Sequence, residues 1–297
     1  MDVRNMLSTF MKESGKSQRQ ISKETGLSTS VISQYLDNSY TGNNDKVENT
    51  IIQYLSVSKE RLNGFQTSQF YKDLYNTKEV LFTCSHAHIK NDITLVCGAA
   101  GAGKTTALEY YCKNNPGVIM VTANSCASSA TAILSLIVEK LGKKVTYSRS
   151  ALMKELIEQL SDTNRLIIID EADHLTLNAL QAIRNLNDQA KVGIVLSGND
   201  KIYNQMLTSK HGYEFDQIRT RIIVRKRVFN DYTVEELNSI FPTLNDECLG
   251  FMLELSSEES LRTAIKILEI ASEYADEMGR TVTLKDLRAT KKQLFGG

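Results

Sequence analysis

Gly98-Ala99-Ala100-Gly101-Ala102-Gly103-Lys104-Thr105 fits G-x-x-x-x-G-K-[ST] at every position. The chemistry of that pattern is phosphate binding. Small residues let backbone N–H groups wrap phosphate oxygens, and a helix that follows adds the positive end of its dipole. Lys104 is expected to reach the β- and γ-phosphates of ATP, and the Thr105 hydroxyl to ligate Mg²⁺. Gly98, Gly101, Ala102, Gly103 and Thr106 complete the expected cradle. The flanks agree: an apolar run at 93–97 enters the first glycine, and a helical pattern at 106–114 follows the lysine.

A second cluster is Leu166-Ile167-Ile168-Ile169-Asp170-Glu171, an apolar strand that ends in two acids. Ligands of open α/β sheets bind at that end of a strand. Two adjacent carboxylates there are costly unless they face a cation. Asp170 is the expected Mg²⁺ partner, and Glu171 the expected base that orients and polarises the attacking water. Asn199 ends another apolar run, 192–197, where it can hydrogen-bond the γ-phosphate or the water. Asn-Asp is also a common strand terminator. In Ile218-Arg219-Thr220-Arg221-Ile222, an arginine can reach the γ-phosphate of a neighbouring subunit; Arg221 is the first choice and Arg219 the second. A solvated basic edge with Arg225-Lys226-Arg227 is the competing reading. Arg262, near the start of a C-terminal helix, is a candidate phosphate contact from a helical lid.

These groups need a scaffold. Short apolar, β-branched runs at 93–97, 118–122, 166–169 and 193–196 alternate with helical patterns. Such alternation predicts a parallel sheet with helices on both faces, an α/β core. The expected domains are 1–62, short helices; 63–75, a linker; 76–228, the nucleotide-binding core; and 229–297, a helical domain. Helical spacing in the last recurs at 249–255, 261–275 and 284–294.

Residues 17–36 carry helix-turn-helix grammar. A helix at about 18–24 meets a turn at Gly26, and Ser28 can cap a second helix at 29–36. A polar loop at 38–45 follows, then a helix from 46 to 55. The second helix offers Thr29, Ser30, Ser33 and Gln34, small or amide side chains suited to groove and phosphate contacts. DNA is the expected ligand, against a protein-interaction module built on the same turn. Lys143, Lys144 and Arg149 flank a polar break between two helical patterns and are candidate DNA-backbone contacts, with a plain solvated loop as the alternative.

Charge narrows the classes. Lys plus Arg and Asp plus Glu both number 35, so a polycation with a global basic field is excluded. The five cysteines lack C-x-x-C spacing and are odd in number, which argues against a disulfide framework or a zinc site. Cys84, His86 and His88 alternate as C-x-H-x-H without an evident fourth ligand and read as a helix end. Reduced thiols, a polar start and no long apolar run predict a cytoplasmic protein without a membrane span.

Taken together these motifs resemble the phage Mu B-like transposition target-DNA activators, AAA+ ATPases. The likeness rests on Gln20 to Leu36, Val96-Cys97-Gly98, Asn124-Ser125-Cys126-Ala127-Ser128, Ile168 to Leu175, Leu196-Ser197-Gly198-Asn199, Arg221-Ile222 and Leu261-Arg262. It implies sensor roles for Asn199 and Arg262 and a finger role for Arg221. It also implies ATP-dependent helical filaments on double-stranded DNA with little sequence preference. A transposase is recruited and activated, and ATP hydrolysis drives disassembly. The loop with Lys143, Lys144 and Arg149 departs from the family in being less arginine-rich. Two rival readings keep the same core: a helicase loader or replication-initiation ATPase, and an ATP-switched helix-turn-helix transcriptional regulator.

Overall fold

The computed structural model describes residues 3–63, 72–202, 204 and 212–296. Packing divides the chain into two units, residues 1–68 and 69–297.

The first unit holds α1 (Val3–Ser14), α2 (Gln18–Thr25), α3 (Thr29–Leu36) and α4 (Asn44–Asn63). Ser17 and Gln20 form a capping box at the start of α2, and Gly26 ends it at φ 76°. Ser28 accepts the Val31 N–H and caps α3. Leu7, Phe10, Ile21, Ile32, Tyr35, Val47, Ile51 and Leu55 form one buried cluster drawn from all four helices. The α4 helix starts two residues before the expected position, where Asn43 Oδ1 accepts the Lys46 N–H at 3.0 Å. It continues to Asn63, beyond the expected 55.

The second unit opens with α5 (Tyr75–Lys90), followed by β1 (Ile93–Gly98), α6 (Lys104–Asn114) and β2 (Val118–Thr122). Then come α7 (Ala130–Lys140), α8 (Arg149–Leu160), β3 (Leu166–Asp170), α9 (Leu177–Ala190) and β4 (Gly193–Gly198). A helix α10 (Gly212–Arg219) leads into β5 (Ile222–Val228). The five strands run in the order β2-β3-β4-β1-β5, and every pairing is parallel.

Alternate strand residues feed two cores. Leu95, Ile167, Ile169, Ile194 and Leu196 pack with α7, α8 and α9, whereas Val96, Ile168, Val195 and Val228 pack with α5 and α6. Burial on both faces explains why these strands are apolar throughout. β5 is the departure from expectation: Arg225-Lys226-Arg227, read as a basic cluster, lies inside a strand. It sits at the sheet edge, where only Ile222 and Val228 are buried, so its open side tolerates charge.

The chain then forms α11 (Val234–Ile240), α12 (Asp246–Glu258), α13 (Leu261–Glu277) and α14 (Leu284–Phe295) around their own apolar cluster. Three of these were expected. The fourth, α11, starts at a Thr233–Glu236 capping box. Among the described residues, no helix is long and apolar enough to cross a membrane.

Candidate functional site

The strand order brings the carboxyl ends of β1, β4 and β3 side by side, at roughly 4.8 Å per strand. The glycine-rich loop leaves β1, Asn199 follows β4, and Asp170 ends β3. Residues from three distant stretches therefore share one edge.

The loop needs its glycines. Gly98 adopts φ 136°, and a Cβ there would collide with the Val228 carbonyl oxygen. The Ala99 N–H donates to that same oxygen at 3.2 Å. Gly101 at φ 76° packs against the C-terminal helices: a Cβ would come within 2.6 Å of Ser260 Cβ and 3.5 Å of Arg262 Cβ. Arg262 is exposed and sits beside the loop, where the lid contact was expected. Gly103, at φ 84°, precedes α6 without a side-chain cap. The first-turn N–H groups, including those of Thr105 and Thr106, have no partner inside the helix. Ala102 is buried and anchors the loop to the α5–α6 core.

Lys104 Nζ donates to the Gly98 carbonyl at 2.9 Å and the Ala99 carbonyl at 2.7 Å. Burial pulls its ammonium below the ordinary lysine value, and the Asp170 and Glu171 carboxylates oppose that shift. Thr105 Oγ1 donates to Asp170 Oδ2 at 2.7 Å. Asp170 Oδ1 accepts from Ser197 Oγ at 2.8 Å and from the Glu171 N–H at 3.0 Å. Asp170 is buried, whereas Glu171 is exposed at φ 53°, a left-handed backbone that few non-glycine residues adopt. That turn lifts the Glu171 side chain out of the strand end. Asn199 is exposed and hydrogen-bonds Asp173.

A donor set of this kind suits a hard cation with phosphate. The Thr105 hydroxyl gives its proton to Asp170, so its lone pairs remain for an oxygen-preferring metal such as Mg²⁺. The nearby carboxylates supply negative charge.

Three further residues brace the site without having been singled out. Ser197 holds Asp170. Asn76, buried in α5, donates to the Phe229 carbonyl at 2.7 Å and the Ala102 carbonyl at 3.4 Å. Asn230 donates to the Ala100 carbonyl at 3.1 Å and the Glu259 carbonyl at 3.3 Å, which ties the loop to α12. A polar residue at the inner end of an apolar strand was the available signal for Ser197. Nothing local marks the two asparagines.

Other candidates lie elsewhere. Arg221 precedes β5, whose Ile222 pairs with Ile93 at the amino end of β1. It is thus on the opposite edge of the sheet from the loop and pairs with Asp188 at 3.3 Å. Arg219 pairs with Asp216 at 2.7 Å. Lys143 and Lys144 are exposed in the α7–α8 connection, and Arg149 is exposed at the start of α8. Arg149 also lines a cleft of mixed character with Ser150, Met153, Asn178, Gln181, Ala182, Asn185 and Gln189. In the first unit, Thr29, Ser30 and Gln34 are exposed and Ser33 is half-buried. His86 contacts Asp92, and His88 contacts Tyr111 and the Asn164 carbonyl.

Residues 88–206 match the AAA domain family. The AAA+ P-loop fold also appears in Cdc6p from Pyrobaculum aerophilum, at TM-score 0.57 and 18% identity over 78% of this chain and 71% of that one. The ATP-dependent target DNA activator B of Escherichia phage Mu is 30% identical over 228 residues, 76% of this chain and 73% of that protein. The Mu-like prophage FluMu DNA transposition protein B of Haemophilus influenzae is 32% identical over 217 residues, 72% of this chain and 76% of that protein. With three quarters of such a relative spanned at that identity, the chain belongs to the Mu-like DNA transposition protein B family.

Proposed function

We propose that the chain is an ATP-hydrolysing activator of DNA transposition that assembles on target DNA. The observation that carries this is the shared sheet edge of Lys104, Thr105, Asp170, Glu171 and Asn199, in a chain whose relatives are named ATP-dependent target DNA activators. Lys104, backbone N–H groups of the glycine-rich loop and of the first turn of α6, and Arg262 hold the triphosphate of ATP. Thr105, with Asp170 behind it, holds Mg²⁺, which when bound neutralises phosphate charge. Glu171 accepts a proton from the attacking water, and Asn199 offers an N–H to that water or to the γ-phosphate. Arg221 serves the site of a neighbouring copy.

Duplex DNA is held by sequence-independent contacts. Lys143, Lys144, Arg149 and the amides of the adjoining cleft suit phosphate oxygens, as do Thr29, Ser30, Ser33 and Gln34 on α3. A transposase is the protein partner, and hydrolysis releases the assembly. The names of the relatives favour this reading over a helicase loader or a transcriptional regulator.

Negative-stain electron microscopy of the protein with random-sequence duplex DNA tests the proposal, comparing ATP, ADP and no nucleotide. Filaments or stacked rings with ATP alone are expected. Isolated particles in all three conditions would overturn the assembly.

A further inference from the structure

Asp173 has no place in the mechanism above, yet it is buried, 6% exposed, at the same sheet edge. A carboxylate in that position loses hydration and needs donors in return. Both its oxygens are used on one residue. Oδ1 accepts the Asn199 backbone N–H at 3.1 Å, and Oδ2 accepts Asn199 Nδ2 at 2.8 Å. The neighbouring turn is shaped for this approach. Glu171 in the left-handed region and the short turn Ala172–His174 carry Asp173 back towards β4. Gly198 leaves room: a Cβ there would sit 2.7 Å from Asp173 Oδ1.

The other end of the Asn199 amide is fixed as well. Its Oδ1 accepts the Lys201 N–H at 2.8 Å. A carboxylate accepts only from the NH₂ end, and a backbone N–H donates only to the oxygen end. The two contacts therefore permit one orientation of the carboxamide. One Nδ2 hydrogen goes to Asp173. Among the described residues the other has no acceptor, and it remains available to a ligand at the strand ends.

We infer that Asp173 is a positioning residue for ATP hydrolysis, which locks the Asn199 carboxamide so that its second N–H is presented to the phosphate or the attacking water. The inference rests on the proposed role of Asn199. Asp173 itself touches neither nucleotide nor water. Its effect belongs to the transition state, where a misdirected donor is most costly, rather than to nucleotide affinity.

The test measures turnover, nucleotide affinity and thermal stability of the full chain with duplex DNA. Asp173→Asn places an NH₂ against one of two donors and lets the Asn199 amide turn. Turnover should fall roughly hundredfold, with nucleotide Kd changed by less than about threefold. In an Asn199→Ala background, Asp173→Asn should cost nothing further. The exchange Asp173→Asn with Asn199→Asp rebuilds all three contacts but removes the spare N–H. It should therefore recover wild-type stability and remain slow, which keeps the test decisive if Asp173→Asn alone folds poorly. Wild-type turnover in Asp173→Asn or in the exchange, or an additional loss on Asn199→Ala, would overturn the inference. Wild-type turnover in Asn199→Ala would remove the role of Asn199 and this inference with it, whereas a slow Asn199→Ala beside a fast Asp173→Asn removes the inference alone.

Discussion

Asp170 joins three stretches of chain through one carboxylate: Thr105 from the loop, Ser197 from β4 and the N–H of Glu171. Lys104, Thr105, Asp170 and Glu171 were legible from spacing, because each lies in a contiguous pattern whose chemistry is local. Ser197 and Asp173 were not, since their value depends on β4 lying between β1 and β3, a fact of topology rather than spacing. Cys97, one residue before the loop, yields a prediction at this scale. Burial first, then the Asp200 carboxylate, pushes its thiol up to about 11 from an ordinary value of 9.0. A raised folded pKa gives stability that is complete below pH 9 and lost as pH rises towards 11. Between pH 8 and 10, urea unfolding should show Cys97→Ala losing about 1 kcal/mol less than the wild type. Equal losses in both would mean that Cys97 does not feel this burial.

Helices α2 and α3 were legible to within a residue, because capping residues and a left-handed glycine mark their ends in the sequence. β5 was hidden by its three consecutive cations. Burial does alternate along it, with 222, 224, 226 and 228 the less exposed set, but Lys226, paired with Glu79, occupies one of those positions and breaks the apolar period. α11 carried a legible signal in Thr233 and Glu236, but it is too short to show an apolar period. The caps themselves can be tested. Ser28 Oγ accepts the Val31 N–H at 3.2 Å, so Ser28→Ala should destabilise the start of α3 by about 1 kcal/mol. Hydrogen exchange in the full chain should then quicken about fivefold at amides 31 to 33. Unchanged exchange would show that packing of Ile32 and Tyr35, rather than the cap, holds that turn.

Across the whole of the second unit, the phosphate loop and Arg221 lie at opposite ends of neighbouring strands, about 16 Å apart along β1. A copy cannot complete its own site with that arginine, which supports its service in trans. Arg221→Ala removes an ion pair that is 55% exposed on the arginine side, so thermal stability should change little. Turnover on DNA should fall roughly thousandfold. Mixing Arg221→Ala with Glu171→Gln should recover part of the phosphate release, because a junction between the two variants combines an intact base with an intact finger. No recovery at any ratio would remove the trans assignment. The edge strand β5 adds a different consequence. Its open side is guarded by Arg225 and Arg227, the latter clamped to Asp200 at 2.6 Å. Strands so guarded make poor templates for backbone pairing. In the proposed assembly, copies that meet at this edge then do so through side chains, with no ladder to unzip when one departs, and an array built this way can be dismantled as readily as it is raised.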